Sequence, residues 1–348
     1  MISDTELQEM YGWMVTARYY EERLQEEYLE GKQPAFDISA GPIPGELHLA
    51  AGQEAAAAGV CSHLDDADTV TAPHRPHHVA IAKGVDLERM TAEIFGRRTG
   101  LCKGKGGHMH LFDSAVNFAG SGIIAEGCPP AVGAALAAKK RGEDSVAVAY
   151  LGEGAISQGG FLESLNLASV QNLPVLFVIE DNDWAISMPK ERVTDIRNGS
   201  QRADGFDMPG KRVDYDDACA VYEAAGEAIG RARDGNGPTL LEVQVHRRMG
   251  HFMGDAEGYR PEGDSERAKR RDSIERMETT LQKAGIDDDT VGDIRDRSHQ
   301  RVDDAIEWAK DQPEPEPDEA YDDVFTNPPA GWTPNTKPEQ AESTGGDD

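Results

Sequence analysis

The sequence predicts an α/β fold with a doubly wound parallel sheet, and three features of residues 146–189 predict it. Two short, almost wholly apolar runs, at 146–151 and 174–179, are typical of strands buried on both faces of a parallel sheet. A turn with two glycines, GEGA, follows the first run. Residues 157–171 between the runs have apolar side chains at helical spacing, so the segment is a strand–turn–helix–strand unit.

The ends of these two strands carry polar groups that suit a phosphate-bearing ligand and a cation. Backbone N–H groups of a glycine turn and a helix start can hold a phosphate at the carboxyl edge of a parallel sheet. Glu153 follows the first strand and Asn182 follows the second, so both reach the same edge. Oxygen ligands of this kind suit Mg²⁺, which predicts a magnesium diphosphate site. An ordinary βαβ unit with a polar strand end fits the same pattern.

The composition limits the classes of protein to which the chain can belong. The chain has 348 residues and a formal net charge of -29 at pH 7, which argues against nucleic acid and anionic membranes as partners. Such a charge suits solubility at high salt, so we predict a halophilic protein, with an acidic interaction surface as the alternative. The four cysteines form no C-x-x-C pair, and no apolar run reaches the length of a membrane span. We therefore expect a soluble cytoplasmic protein without disulfides.

Start and stop signals predict the remaining elements in chain order. Ser3 and Glu6 form a capping box that begins a helix running to about residue 30. An alanine-rich helix is predicted at 53–63, and a second one ends at Gly142 after three basic residues. A helix at 214–232 and a buried strand at 239–245 follow.

Composition shifts divide the chain into three regions. Residues 1–265 are predicted to form the α/β domain. The segment 266–312 is rich in charged residues and is predicted to be a peripheral helical pair. Residues 313–348 are rich in proline, glycine and acidic residues, which predicts an extended arm and a disordered acidic tail.

The segment 152–184 resembles the thiamine-diphosphate motif, which opens with Gly-Asp-Gly and closes with a pair of asparagines. More specifically, it is similar to the alpha subunit of the two-chain 2-oxo acid dehydrogenases of the pyruvate, branched-chain and acetoin types. The resemblance implies metal binding by Glu153, Asn182 and the carbonyl group of Trp184. It also implies that the turn residues bind the cofactor, namely Gly152, Gly154 and Ala155. Glu153 replaces the usual aspartate and is one methylene longer, and Asp181 replaces the first asparagine.

Further segments match the same family in order. The sequence GELHLAAGQEA matches a family segment that places its histidine, here His48, near the reacting carbon as a proton donor or substrate orienter. In TAPHRPHH the resemblance implies that Arg75 binds the diphosphate, with His74 in the place of an aromatic residue and His77 matching the family histidine. A purely structural role for His48, or a zinc site among the clustered histidines, fits the residues alone.

The resemblance extends to three more sites. Gly122 and Ile124 match a segment that contacts the aminopyrimidine ring and wedges the cofactor into a bent form. The basic loop LCKGKGGHMHL implies a site role for His110, with a structural role as the alternative. The pattern Gly-His, Asp, Tyr-Arg places His251 at or near the diphosphate. Catalytic roles are thereby implied for three histidines: His48, His77 and His251.

The implied activity is decarboxylation of a 2-oxo acid with thiamine diphosphate and Mg²⁺, followed by acyl transfer to a lipoyl group. In the family, a glutamate that activates the cofactor comes from the beta subunit, so the resemblance implies an α₂β₂ heterotetramer and a lipoyl-bearing acyltransferase partner. An acetoin dehydrogenase subunit and a catalytically silent cofactor-binding paralogue are the alternatives. A nicotinamide-binding Rossmann protein is weaker, because no Gly-x-Gly-x-x-Gly opens a helix where it is expected.

Overall fold

The computed structural model describes residues 2–32, 37–214 and 217–327. Within these ranges the strands are β1 Thr69–Ala72, β2 Phe112–Asp113, β3 Phe118–Gly120, β4 Ala147–Gly152, β5 Val175–Asp181, β6 Trp184–Ala185, β7 Met188–Pro189, β8 Gly210–Val213 and β9 Thr239–Gln244. The α-helices are α1 Asp4–Leu29, α2 Glu54–Cys61, α3 His77–Lys83, α4 Leu87–Ile94, α5 Cys128–Arg141, α6 Gly159–Val170, α7 Ala218–Arg233, α8 Asp264–Lys269, α9 Ser273–Ala284 and α10 Asp288–Lys310. Across the part of the chain described, no helix is both long and apolar enough to cross a bilayer.

The central sheet has seven strands in the order β2-β3-β1-β4-β5-β9-β8. All neighbouring pairs are parallel except β2 with β3. From β1 the chain moves outward to β3, whereas from β4 it moves the opposite way to β5. The strand order therefore reverses between β1 and β4, and such a switch point is where ligands bind in open α/β sheets.

Both faces of the sheet are covered, as the apolar runs predict. On one face, alternate residues of β4 and β5 pack with α5 and α6, around Phe161, Leu165 and Phe177. On the other face, Val148 and Val178 belong to a larger core that includes α1, α2, α3 and α7. Every residue of β5 is buried. The predicted doubly wound α/β fold is thus confirmed.

Helix α1 begins at the predicted capping box, where the Ser3 hydroxyl accepts the Glu6 N–H and the Glu6 carboxylate accepts the Ser3 N–H. Its predicted end near residue 30 agrees with the observed end at Leu29. Helix α1 lies against both α9 and α10. In α10, Val302 and Ile306 are fully buried in the main core. Part of the segment 266–312, which was predicted to be a peripheral helical pair, thus packs into the main core through α10, although the segment is rich in charged residues.

The predicted extended arm lies against the basic glycine-rich loop. Lys103 Nζ is 2.7 Å from a carboxylate oxygen of Asp323, and Lys105 Nζ is 3.1 Å from the same oxygen. The backbone N–H of Arg98 donates to the Pro313 carbonyl oxygen at 2.9 Å. The predicted disordered tail falls on residues 328–348, which lie outside the described residues. The domain boundary at 265 stays a prediction.

A buried ion network joins α1, α2 and α9 and supports a stability prediction. Arg18 contacts Glu54 at 2.6 Å and Asp272 at 3.0 Å, and all three side chains are largely buried. We expect Arg18→Met to lower the free energy of unfolding by about 3–5 kcal/mol, because Glu54 is left buried without its cation. Urea unfolding followed by tryptophan fluorescence measures this change.

The matched control is Arg141→Met. Arg141 pairs with Glu143 at 2.7 Å, but both side chains are exposed, at 64% and 46%. An exposed pair of this kind contributes about 0–1 kcal/mol. Equal effects of the two substitutions would contradict the prediction.

Candidate functional site

A cavity of about 430 Å³ opens at the carboxyl edge of the sheet, at the switch point between β1 and β4. The loops after β1, β3, β4, β5 and β9 all contribute to its wall. The predicted site residues that line it are His48, His74, Arg75, Gly122, Ile124, Gly152, Glu153, Gly154, Ala155, Asn182, Trp184 and His251. The structure therefore brings together residues that are separated by up to two hundred positions in the sequence.

Glu153 and Asn182 converge at this cavity. The backbone N–H of Asn182 donates to Glu153 Oε2 at 3.1 Å. The other carboxylate oxygen of Glu153, Oε1, and the single side-chain oxygen of Asn182, Oδ1, are both buried without a hydrogen-bond partner. Burial and the nearby carboxylate of Asp181 raise the pKa of Glu153 to about 7. Two buried, unpartnered oxygens and a carboxylate that is destabilised by burial fit a hard cation. Although Glu153 is one methylene longer than aspartate, its carboxylate still lies next to Asn182.

The hairpin of β6 and β7 completes this side of the cavity. Gly154 allows its close approach, because a Cβ atom at position 154 would lie 2.8 Å from the Ala185 Cβ atom. Behind the hairpin, Lys190 is 3.2 Å from Glu242 and also pairs with Asp181. Asp181 is absent from the cavity wall and contributes to this buried ion cluster instead. This explains how an aspartate can stand where the resemblance places an asparagine.

The wall of the cavity also carries positive charge. Arg75 is buried and donates to the Leu49 carbonyl oxygen at 2.7 Å, and its Nη2 lies 3.1 Å from His251 Nδ1. Burial and the neighbouring Arg247 lower the pKa of Arg75 to about 9, which is still above neutral pH. Two guanidinium groups that face one cavity favour an anion such as a diphosphate.

Sequence reasoning missed Arg247. Its side chain is buried and lines the cavity, its Nη2 donates to the Tyr259 hydroxyl at 2.6 Å, and its Nε has no partner. The Tyr259 hydroxyl in turn donates to Asp255 at 2.6 Å, and Asp255 accepts the His251 N–H at 2.7 Å. The available signal was a pair of arginines directly after a buried strand in a strongly acidic chain.

Three histidines meet in the cavity. Ring nitrogens of His48, His74 and His251 all lie within 4.8 Å of one another. Burial and the Arg75 guanidinium lower the pKa of His48 to about 3, and burial with both neighbouring arginines lowers the pKa of His251 to about 4. Burial also holds the pKa of His74 well below its usual value. All three rings are therefore neutral at pH 7 and can each offer one donor and one acceptor.

Two predicted site histidines do not line the cavity. His77 is fully buried, and its Nδ1 lies 3.1 Å from Glu21, so its geometry fits support of the wall and not contact with a ligand. His110 stands beside Gly122, where an added Cβ atom would lie 3.4 Å from its Nε2. His78 points elsewhere and pairs with Glu180 at 2.6 Å. The zinc alternative for the cluster after β1 therefore fails, because its histidines diverge.

The segment after β3, which the resemblance predicts to contact the pyrimidine ring, contributes Gly122 and Ile124 to the wall of the cavity. An added Cβ atom at Gly122 would lie 2.9 Å from the Met109 sulfur, so glycine allows this packing. Ile124 is 50% exposed, and its neighbours on the rim, Ile123 and Ile186, are 62% and 58% exposed. Exposed isoleucines around a cavity are unusual for a free surface and fit a surface that is covered in an assembly.

A cavity lined by Glu153, Asn182 and two guanidinium groups at the switch point of a doubly wound sheet is typical of an α/β enzyme that binds a phosphorylated cofactor. The chain belongs to the Dehydrogenase E1 component family, whose model matches residues 32–318.

Three relatives show the range of the family. The alpha subunit of acetoin:2,6-dichlorophenolindophenol oxidoreductase from Bacillus subtilis is 42% identical over 320 residues, 91% of this chain and 93% of that protein. The protein of the same name from Cupriavidus necator is 43% identical over 321 residues, with the same coverage of 91% and 93%. The alpha subunit of the pyruvate dehydrogenase E1 component from Porphyra purpurea is 36% identical over 315 residues, 88% of this chain and 89% of that protein.

These relatives confirm the predicted family and the predicted class of enzyme. The chain is an E1-type alpha subunit of the thiamine-diphosphate-dependent oxidoreductases. The alternative of a nicotinamide-binding Rossmann protein is therefore wrong. The roles of the individual site residues, the metal and the subunit assembly remain predictions.

Proposed function

We propose that the chain binds thiamine diphosphate with Mg²⁺ and, together with a beta subunit, decarboxylates a 2-oxo acid and passes the acyl group to a lipoyl-bearing acyltransferase. The observation that carries this proposal is the pair of unpartnered oxygens, Glu153 Oε1 and Asn182 Oδ1, in the same cavity as Arg75. A magnesium diphosphate has both a cation for the oxygens and an anion for the guanidinium group.

The residues of this chain divide into three groups in the proposed complex. Glu153, Asn182 and the Trp184 carbonyl group hold the metal, while Arg75, His251 and His74 face the phosphates together with the backbone of the turn Gly152, Gly154 and Ala155. Gly122 and Ile124 support the pyrimidine ring. When bound, the cofactor supplies the carbon nucleophile and stores the electrons of the substrate. The protein contributes positioning, charge and a closed environment.

The assembly is proposed from the surface of the cavity mouth. The rim isoleucines, Ile123, Ile124 and Ile186, are exposed in this chain and fit coverage by a second subunit. A beta subunit that closes this mouth gives the α₂β₂ heterotetramer of the family. The unpaired cysteines within the described residues and the acidic charge support a cytoplasmic location and, as the composition suggests, adaptation to high salt.

A second candidate substrate is an acyloin such as acetoin. The two relatives whose names include acetoin are 42% and 43% identical to this chain, whereas the pyruvate dehydrogenase subunits are 32% to 36% identical. An acyloin would use the same proposed cofactor site of this chain. The two candidate substrates differ in the bond that is cleaved.

The test is co-expression with the beta subunit encoded by a neighbouring gene, followed by cofactor titration and a substrate panel. We expect Mg²⁺-dependent binding of thiamine diphosphate by calorimetry, and reduction of 2,6-dichlorophenolindophenol with a 2-oxo acid or an acyloin. The alpha chain alone serves as the inactive control. Binding without turnover of any substrate would favour the silent paralogue, and absence of binding would reject the proposal.

A further inference from the structure

The ring of His108 stacks on the ring of His48, and no role was predicted for His108 from the sequence. Its side chain is buried at 5% exposure, and its ring is nearly parallel to the ring of His48, with centroids 5.2 Å apart and an interplanar angle of 21°. Its Nε2 atom has two contacts with the same residue. The backbone N–H of His48 donates to it at 3.1 Å, and the Nδ1 atom of His48 lies 3.0 Å away.

These two contacts determine the position of one proton. A backbone N–H can only donate, so His108 Nε2 is an acceptor and carries no proton. His48 Nδ1, at hydrogen-bond distance from that lone pair, must therefore carry a proton, because two facing lone pairs repel. In a neutral imidazole the other nitrogen, Nε2, is then an acceptor. His48 lines the cavity, so this acceptor belongs to the wall that meets the ligand.

We propose that His108 is a positioning residue that holds His48 with its proton on Nδ1, so that Nε2 presents a lone pair to the cavity and recognises a hydroxyl group of the substrate. This proposal rests on the proposed cofactor site and favours the second candidate substrate, the acyloin, over the 2-oxo acid. At neutral pH the ionised carboxylate beside the carbonyl group of a 2-oxo acid only accepts hydrogen bonds, whereas an acyloin has a hydroxyl donor on the adjacent carbon. The complementary substrate class is therefore the α-hydroxy ketones.

The charges around His48 support a neutral ring. Burial lowers its pKa to about 3, and the groups that add to this effect are Arg75, His251, His77 and Arg247. The His74 ring packs edge-on against it, with centroids 4.9 Å apart. No carboxylate is among these neighbours. His48 is therefore an acceptor at neutral pH, which fits the second of its two predicted roles, substrate orienter, and not the first, proton donor.

Two substitutions at one position separate hydrogen bonding from packing. His108→Gln keeps an acceptor, because an amide oxygen has two lone pairs and can accept both hydrogen bonds. His108→Phe keeps an aromatic ring of similar size but offers no acceptor. His299→Phe is the control, since His299 stacks on Tyr19 at 3.9 Å and does not line the cavity. Melting temperatures confirm that each assembly is folded.

The first readout is the chemical reactivity of His48 in the cofactor-free αβ assembly. Diethyl pyrocarbonate attacks an unprotonated ring nitrogen, and peptide mass mapping separates His48 from His74 and His251. We expect His108→Phe to slow modification of His48 about tenfold, which corresponds to about 1.4 kcal/mol in favour of the tautomer with Nε2 protonated. His108→Gln and His299→Phe are expected to react within twofold of the wild type. Unchanged reactivity in His108→Phe, or equal slowing in His108→Gln, overturns the positioning role.

The second readout is the ratio of kcat/KM for acetoin to kcat/KM for pyruvate in the loaded assembly. We expect this ratio to be high in the wild type and in His108→Gln, and to fall at least fivefold in His108→Phe. Turnover of pyruvate alone, or an equal loss on both substrates, overturns the hydroxyl recognition. If the wild-type assembly binds no thiamine diphosphate, the proposed function fails, whereas the reactivity of His48 still decides the tautomer.

Discussion

Replacing Glu153 by glutamine is expected to weaken Mg²⁺-dependent binding of thiamine diphosphate by at least about a hundredfold, or about 2.7 kcal/mol. Glutamine has nearly the same shape, and its carbonyl oxygen can still accept the Asn182 N–H that Glu153 Oε2 accepts at 3.1 Å. It cannot supply the negative charge that a buried divalent cation needs. Isothermal titration calorimetry of the αβ assembly, with and without Mg²⁺, measures the loss.

The same substitution should leave the cofactor-free protein at least as stable as the wild type. Burial raises the pKa of Glu153 to about 7 from its model-peptide value of 4.5, so the wild-type carboxylate destabilises the folded protein increasingly as the pH rises from about 4.5 to 7. Glutamine removes this penalty, and unfolding at pH 8 should therefore require at least as much urea. Glu163→Gln, on the exposed side of α6, is the matched control for both measurements. Full cofactor affinity in Glu153→Gln would contradict the metal assignment.

Replacing Arg75 by methionine is expected to reduce cofactor affinity by a comparable amount through two effects. The substitution removes a buried positive charge from the wall of the cavity. It also frees the Leu49 carbonyl oxygen and the backbone of His251, both of which accept hydrogen bonds from Arg75. Because a charged hydrogen bond contributes about 1.5–3 kcal/mol, the loop that follows β9 should open more often. Calorimetry measures the affinity, and limited tryptic proteolysis after Arg248, which precedes Met249 in this loop, measures the opening.

Arg89→Met provides the comparison, because Arg89 is an exposed residue of α4 outside the cavity. If Arg75→Met loses affinity but the loop is not cleaved faster, Arg75 acts on the phosphate alone. If neither quantity changes, the assignment of Arg75 to the anion is wrong.

The sequence was most informative where function depends on a strand end. Strands β4 and β5 were predicted from apolar runs within two residues of their observed bounds. Because neighbouring parallel strands end at one edge, the meeting of Glu153 and Asn182 followed from the pattern alone. Residues on loops after β1, β3 and β9 were placed by the resemblance, and most of them line the cavity.

The sequence was least informative for side-chain direction. His74, His77 and His78 stand within five residues, yet one lines the cavity and the other two pair with Glu21 and Glu180. Successive residues at the start of α3 leave the helix about a hundred degrees apart, and the packing of α1 and β5 decides which one meets a carboxylate. Arg247 and His108 were missed for the same reason.

The amino-acid sequence by itself determined the alternation of strands and helices, the glycine turn and the family, because these depend on local spacing and on short motifs. The tertiary structure alone decided which histidines face the cavity, that Asp181 turns away from it, and that α10 shares the main core. Proton positions belong to this second group as well. The tautomer of His48 depends on a residue sixty positions away, and only a folded chain brings the two rings to hydrogen-bond distance.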